Sequence, residues 1–128
     1  MATRQSCAQL KQQSNDLILA DSVDRSRVSY CATPGGTGAV HHVLEVVKMT
    51  GTGATVWFSD PTWGNHLSIA KHVDVPVAKY AYFDTEARAV NFDGMMSDLQ
   101  NVASGDVVVL HGCCHNPTGA NLNETQWR

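Results

Sequence analysis

The sequence has 128 residues, of which 43% are hydrophobic, with 9 basic against 12 acidic side chains and a net charge of −3. That length and apolar content suit one domain with a core of ordinary size and argue against a mainly disordered chain. No run of like charge points to nucleic acid or an anionic membrane surface, and the longest apolar runs fall far short of a membrane span.

Residues 8–19 place Leu10, Leu17 and Ile18 among Gln, Ser and Asn, a weak helix pattern, and residues 21–27 read as a charged connector. Val28-Ser29-Tyr30-Cys31-Ala32 carries β-formers and predicts a strand, followed by the turn Thr33-Pro34-Gly35-Gly36-Thr37-Gly38-Ala39. Val40, Val43, Leu44 and Val47 then take the spacing of one helical face, so a helix is expected over 39–49, closed by Thr50-Gly51-Thr52-Gly53. A strand over 54–59 breaks at Asp60-Pro61. The turn Thr62-Trp63-Gly64-Asn65-His66 leads into a helix pattern of Leu67, Ile69, Ala70 and Val73.

Val77–Phe83 reads as a strand and 84–91 as a polar turn. Phe92, Met95, Met96 and Leu99 repeat the helical spacing, Val102 and Ala103 continue it, and Gly105 is expected to close the helix. Asp106–Leu110 is continuous enough to be a strand buried on both faces. His111–Gly119 is a loop, and Asn121 with Glu124 has the form of a capping box opening another helix.

Strands alternating with helices predict an α/β protein with a largely parallel sheet, in which ligands sit where loops leave the carboxyl ends of the strands. Three loops would then share one rim: Gly35–Gly38, Asp60–His66 and His111–Gly119. A strand, glycine turn and helix in that order aim backbone N–H groups and the positive helix end at one point, an anion cradle to which Thr37 adds a hydroxyl. Glycines before a helix also serve as an ordinary tight turn. Trp63 alone reads equally as a surface-turn aromatic, and Asn116 before Pro117 as a turn opener. Together, a phosphate cradle, a flat aromatic and a neutral amide suit a planar, phosphorylated, hydroxyl-bearing heterocycle.

Cys7, Cys31, Cys113 and Cys114 are expected to be reduced thiols, since this apolar content needs no staples. His111-Gly112-Cys113-Cys114-His115 has two histidines four apart but no C-x-x-C pair, and neighbouring strand residues point to opposite faces, so no metal is expected. Met1–Ser6 runs into polar residues, so the expected compartment is the cytoplasm.

The segments Thr33–Ala39, Ser59-Asp60-Pro61-Thr62-Trp63-Gly64-Asn65-His66 and His111-Gly112-Cys113-Cys114-His115-Asn116-Pro117-Thr118-Gly119, with Tyr80-Ala81-Tyr82-Phe83-Asp84 between them, closely resemble the aspartate and aromatic amino-acid aminotransferases. These are fold-type I enzymes dependent on pyridoxal 5'-phosphate. The resemblance covers residues 28–128, read as part of the cofactor-binding large domain, while residues 1–27 match poorly. It implies a three-layer α/β/α fold with a mostly parallel sheet.

By that resemblance, Gly36 and Thr37 bind the cofactor phosphate, and Gly35 and Gly38 shape the turn. Trp63 stacks on the cofactor ring and meets the substrate. Asn116 donates to the ring's phenolic oxygen and helps to hold the substrate carboxylate. His66 and His111 orient the acidic residue that pairs with the ring nitrogen. Gly64 stands where relatives often have proline. The implied activity is transfer of an amino group between an amino acid, aspartate or aromatic, and a 2-oxo acid by a ping-pong cycle in a homodimer. None of the four lysines, Lys11, Lys48, Lys71 and Lys79, lies in the family's Schiff-base motif. No residue here is therefore expected to be catalytic, and the chain is expected to be an inactive piece of a considerably longer enzyme. The alternative is a non-catalytic truncated product, or a phosphate-binding α/β fragment with a structural role.

Overall fold

A computed structural model of the chain describes the backbone of residues 2–20 and 22–128, and the side chains of residues 8–20 and 22–128. The chain divides into two compact units, Met1–Ala39 and Val40–Arg128.

In the first unit, α1 spans Ala2–Leu19, longer than the weak pattern predicts. Its few apolar anchors find little cover: Leu10, Leu17 and Ile18 are all exposed. A 3-10 turn at Arg25–Arg27 follows, capped by the Asp24 carboxylate, which accepts from the Ser26 N–H at 2.9 Å. The strand expected at Val28–Ala32 does not form. The Val28 N–H bonds back to the Arg25 carbonyl at 3.2 Å, and the irregular backbone runs on to Thr33. β-Formers make a strand only when a neighbouring strand pairs with them.

Helix α2 spans Gly35–Met49 and so begins four residues before its expected start, taking the glycines into its first turn. In the second unit its residues Val40, Leu44 and Val47 pack on the core, while Val43 is exposed. The buried stripe is therefore i, i+4, i+7, narrower than the predicted face. Strand β1 spans Val56–Asp60, α3 Gly64–Val73 and β2 Val77–Ala81. The expected polar turn at 84–91 is instead a hairpin, β3 (Phe83–Asp84) pairing antiparallel with β4 (Ala89–Val90). The Asp84 carboxylate closes it by accepting from the Glu86 and Ala87 N–H groups at 2.8 and 2.9 Å. Helix α4 is Phe92–Leu99, with Asn91 capping it through Gly94, and it ends before Val102 and Ala103.

Strand β5 is only Val107–Val108, although the Val109 N–H still reaches the Trp57 carbonyl at 2.9 Å. The sheet has the order β2-β1-β5 with both pairings parallel, so β1 is central. That position explains why Val56, Phe58 and Ser59 are fully covered. One core cluster joins Leu44, Val56, Phe58, Ala70 and Val73, and a second joins Tyr80, Tyr82 and Met95. Asp106 ties the strand starts together, accepting from the Thr55 N–H and the Trp57 indole N–H, each at 2.9 Å. The helix expected after Asn121 is a turn over 124–127. The capping box forms two residues later than predicted: the Asn123 side chain accepts from the Gln126 N–H and the Gln126 side chain from the Asn123 N–H. Among the described residues no helix is long and apolar enough to cross a membrane.

Candidate functional site

The glycine turn belongs to the first unit. Gly35 adopts φ +73°, a left-handed conformation that other residues rarely take, and its N–H turns back to the Thr33 carbonyl at 2.9 Å. Gly38 is a packing glycine: a Cβ there would lie 3.1 Å from Pro34 Cδ. Gly36 differs from both. Its φ is not left-handed, and a Cβ would meet nothing within 4 Å. Gly36 and Thr37 lie in the first turn of α2, where N–H groups lack an i−4 carbonyl, and no acidic side chain occupies that turn. The backbone therefore offers N–H groups beside free space, a setting in which an anion fits.

The second unit holds the other candidates, at the carboxyl ends of parallel strands. The loop after β1 carries Trp63, half-buried at the start of α3. Its carbonyl accepts the His66 N–H at 2.9 Å. Gly64 opens α3, a first-turn position that proline also suits. His66, one turn on, stacks on Phe58 with ring centroids 5.3 Å apart and meets the edge of Trp63 at 5.3 Å. Its Nδ1 is 2.8 Å from Thr62 Oγ1. The loop after β5 brings His111 to 5.3 Å from His66, and His115 to 4.4 Å from His111. His115 in turn stacks on Tyr82 at 3.9 Å.

One feature of this row fixes a tautomer. The Asn116 N–H donates to His111 Nδ1 at 3.2 Å, so the neutral His111 ring carries its proton on Nε2. That Nε2 is buried and has no hydrogen-bond partner among the described residues. A buried donor left unmade is costly, which marks it as a place for an acceptor. Burial holds the His111 pKa below its ordinary value. It lowers that of His66 too, with His111 adding to the effect. His115 is pushed down to about 4, first by desolvation and then by His111 and His66. All three rings are neutral at physiological pH.

A shallow hollow of about 290 Å³ opens on this row, lined by Val40, His66, Val109, Leu110, His111 and Cys113. Asn116 is exposed and Trp63 half-buried nearby in the sequence of the same two loops. His115, Tyr82 and Ser59 all lie within the segments that carry the family resemblance, but no role attaches to them there and residue order alone does not group them. The one available signal was an i, i+4 histidine pair in a loop following an apolar strand. Among the described residues no group of three or more His, Cys, Asp or Glu is placed to hold a metal ion. Cys31, Cys113 and Cys114 are free thiols, while the Cys7 side chain lies outside the described residues. Lys48 and Lys79 are engaged structurally, Lys48 on the Val73 carbonyl at 2.6 Å and Lys79 on Asp60 at 3.1 Å.

Parallel strands with a polar, aromatic rim at their carboxyl ends place the second unit among the α/β folds whose ligand sites lie at that edge of the sheet. The chain belongs to the aminotransferase class I and II family, whose model matches residues 2–128. It is 50% identical over 112 residues to an aromatic-amino-acid aminotransferase of Paracoccus denitrificans, covering 88% of this chain and 28% of that protein. It is 38% identical over 106 residues to an aspartate aminotransferase of Escherichia coli strain K12, covering 83% of this chain and 27% of that protein. Among solved structures it is similar to an aromatic-amino-acid aminotransferase of Burkholderia pseudomallei covalently bound to pyridoxal phosphate. The TM-score is 0.84 at 38% identity, covering 89% of this chain and 29% of the other. The chain thus spans less than a third of the length of these relatives, and its mixed α/β fold with a parallel sheet is that of the fold-type I large domain.

Proposed function

We propose that these residues supply part of the cofactor site of a pyridoxal-phosphate-dependent transaminase, which moves an amino group between an aspartate or aromatic amino acid and a 2-oxo acid. The observation behind this reading is the buried His111 Nε2–H, a donor held ready for an acceptor beside Trp63, His66 and Asn116. Gly36 and Thr37 take the cofactor phosphate on first-turn amides and the Thr37 hydroxyl, with Gly35 and Gly38 setting the turn. Trp63 lies against the cofactor ring and the substrate. Asn116 donates to the phenolic oxygen and to the substrate carboxylate. His66 and His111, both neutral, orient the acidic group that pairs with the ring nitrogen, and His111 does so through its Nε2–H.

The cofactor, when bound, supplies the electron sink. This chain's residues bind and orient it. They provide no general base in the family's position, because none of the four lysines lies in that motif. The transaminase reading therefore attaches to a longer protein in which residues 28–128 form part of the large domain. By family likeness that protein is a cytoplasmic homodimer acting on small molecules.

The test is borohydride reduction of the whole protein after titration with pyridoxal phosphate, followed by mass analysis. One stoichiometrically labelled lysine outside positions 11, 48, 71 and 79 is expected. Saturable labelling of one of those four would overturn the assignment, and sedimentation of the same sample checks the dimer.

A further inference from the structure

His115 is 2% exposed, and both its ring nitrogens are bonded. Its Nδ1 lies 2.8 Å from Thr118 Oγ1, which also accepts from the Ala120 N–H at 3.2 Å, and its Nε2 lies 3.0 Å from Ser59 Oγ. Tyr80, on the strand beside Ser59, donates its hydroxyl to the Val109 carbonyl at 2.8 Å. The backbone is tied as well: the His115 N–H donates to Asn121 Oδ1 at 3.1 Å, and the Gly119 N–H to the His115 carbonyl at 2.7 Å. Tyr82 covers the ring face, and its hydroxyl donates to the Ala120 carbonyl at 2.8 Å.

Asn116 is the next residue. It is exposed, and its side-chain amide makes no hydrogen bond among the described residues, so the backbone of the turn is what fixes where its Cα–Cβ bond points. We propose that His115 is a positioning residue for Asn116: its neutral, doubly bonded ring pins the 115–121 turn to β1 and so aims the Asn116 amide. This rests on the reading that Asn116 donates to the cofactor's phenolic oxygen. A donor there stabilises negative charge on that oxygen and favours release of the cofactor's titrating proton, so a misdirected amide raises the pH midpoint of the bound cofactor's absorbance.

The measurement is that midpoint in the whole protein with pyridoxal phosphate bound, for the parent, His115→Phe, Thr118→Val, Asn116→Ala and the His115→Phe/Asn116→Ala pair. Phe keeps the stack on Tyr82 and removes both ring bonds; Val removes one anchor and keeps the shape, which covers the case of a His115→Phe protein that does not fold. His115→Phe should raise the midpoint by about one pH unit, the effect of losing one ordinary hydrogen bond, and Thr118→Val should raise it by less. The pair should match Asn116→Ala alone, because His115 acts through Asn116. If Asn116→Ala moves the midpoint while His115→Phe and Thr118→Val leave it in place, or if the pair is additive, the proposal falls and the underlying reading stands. If the parent shows no cofactor band, or Asn116→Ala leaves the midpoint unmoved, the underlying reading falls and takes the proposal with it.

Discussion

The N-terminal unit presents its candidate residues on open backbone, whereas the C-terminal unit wraps its own in aromatic side chains. Around Gly36, apart from its chain neighbours and its own helix backbone, no atom lies within 4 Å of where a side chain would begin. Around His115 there is a tyrosine face, two hydroxyls and another imidazole. A backbone cradle spends little on folding and depends on local conformation. A row of buried imidazoles depends on the whole sheet, because Ser59, Phe58, Tyr80 and Tyr82 come from two different strands and the link after them. The two regions should therefore respond oppositely to substitution, one losing ligand binding without stability and the other losing both.

The largest effect is expected at Phe58, fully buried under His66 at the centre of the sheet. Phe58→Ala should destabilise the folded protein by about 3–5 kcal/mol through lost burial and the cavity left behind, read from denaturant midpoints at unchanged m-value. An effect near zero would mean that the sheet centre is not the structural base of the histidine row.

Next comes acidification. His115, His66 and His111 are all held below their ordinary pKa, His115 at about 4. Between pH 6.5 and 4 the unfolded chain binds more protons than the folded one, so the stability these groups contribute is fully present above 6.5 and is lost as pH falls toward 4. Thermal midpoints measured across that window should fall with pH, and His115→Phe should flatten the slope. An unchanged slope in His115→Phe would show that His115 is not a buried neutral ring.

These expectations also show what could be read from residue order. The spacing of apolar residues gave α2, α3 and α4 and strands β1 and β2 because each buries a regular stripe. The strand expected at Val28–Ala32 failed because β-propensity carries no information about a partner, and the hairpin at 83–90 was missed because Asp84, not an Asn-Gly turn, closes it. The glycine turn was legible as a turn, but not as the opening of the helix itself. Trp63 and Asn116 are legible both as a flat aromatic and a neutral amide at strand ends and through the family pattern, and His66 and His111 through that pattern alone, whereas His115 sits in the same segment without a role until β1 and the residue after β2 bring Ser59 and Tyr82 to it.

Smaller effects distinguish the two glycines of the cradle. Gly38→Ala puts a methyl group 3.1 Å from Pro34 Cδ, so the turn must give way slightly. The strain should offset the propensity gained by alanine in a helix, leaving a loss of about 1 kcal/mol or less by chemical denaturation. A clear gain in stability would show that Pro34 yields freely.

Gly36→Ala should have the smallest effect on stability and the most telling one on binding. Nothing lies within reach of the added methyl group, and φ at this position is not left-handed, so alanine's better helix propensity should leave stability unchanged or raised by a few tenths of a kcal/mol. The same methyl group would occupy the space beside the first-turn amides, where an incoming phosphate must approach the backbone closely. Affinity of the whole protein for pyridoxal phosphate should therefore fall at least about tenfold, a loss of ~1.4 kcal/mol, while affinity for pyridoxal, which lacks the phosphate, should not change. Equal losses for both ligands would place the effect on the ring and not on the phosphate. Unchanged affinity for both would make Gly36 a turn residue and leave the cradle without a ligand.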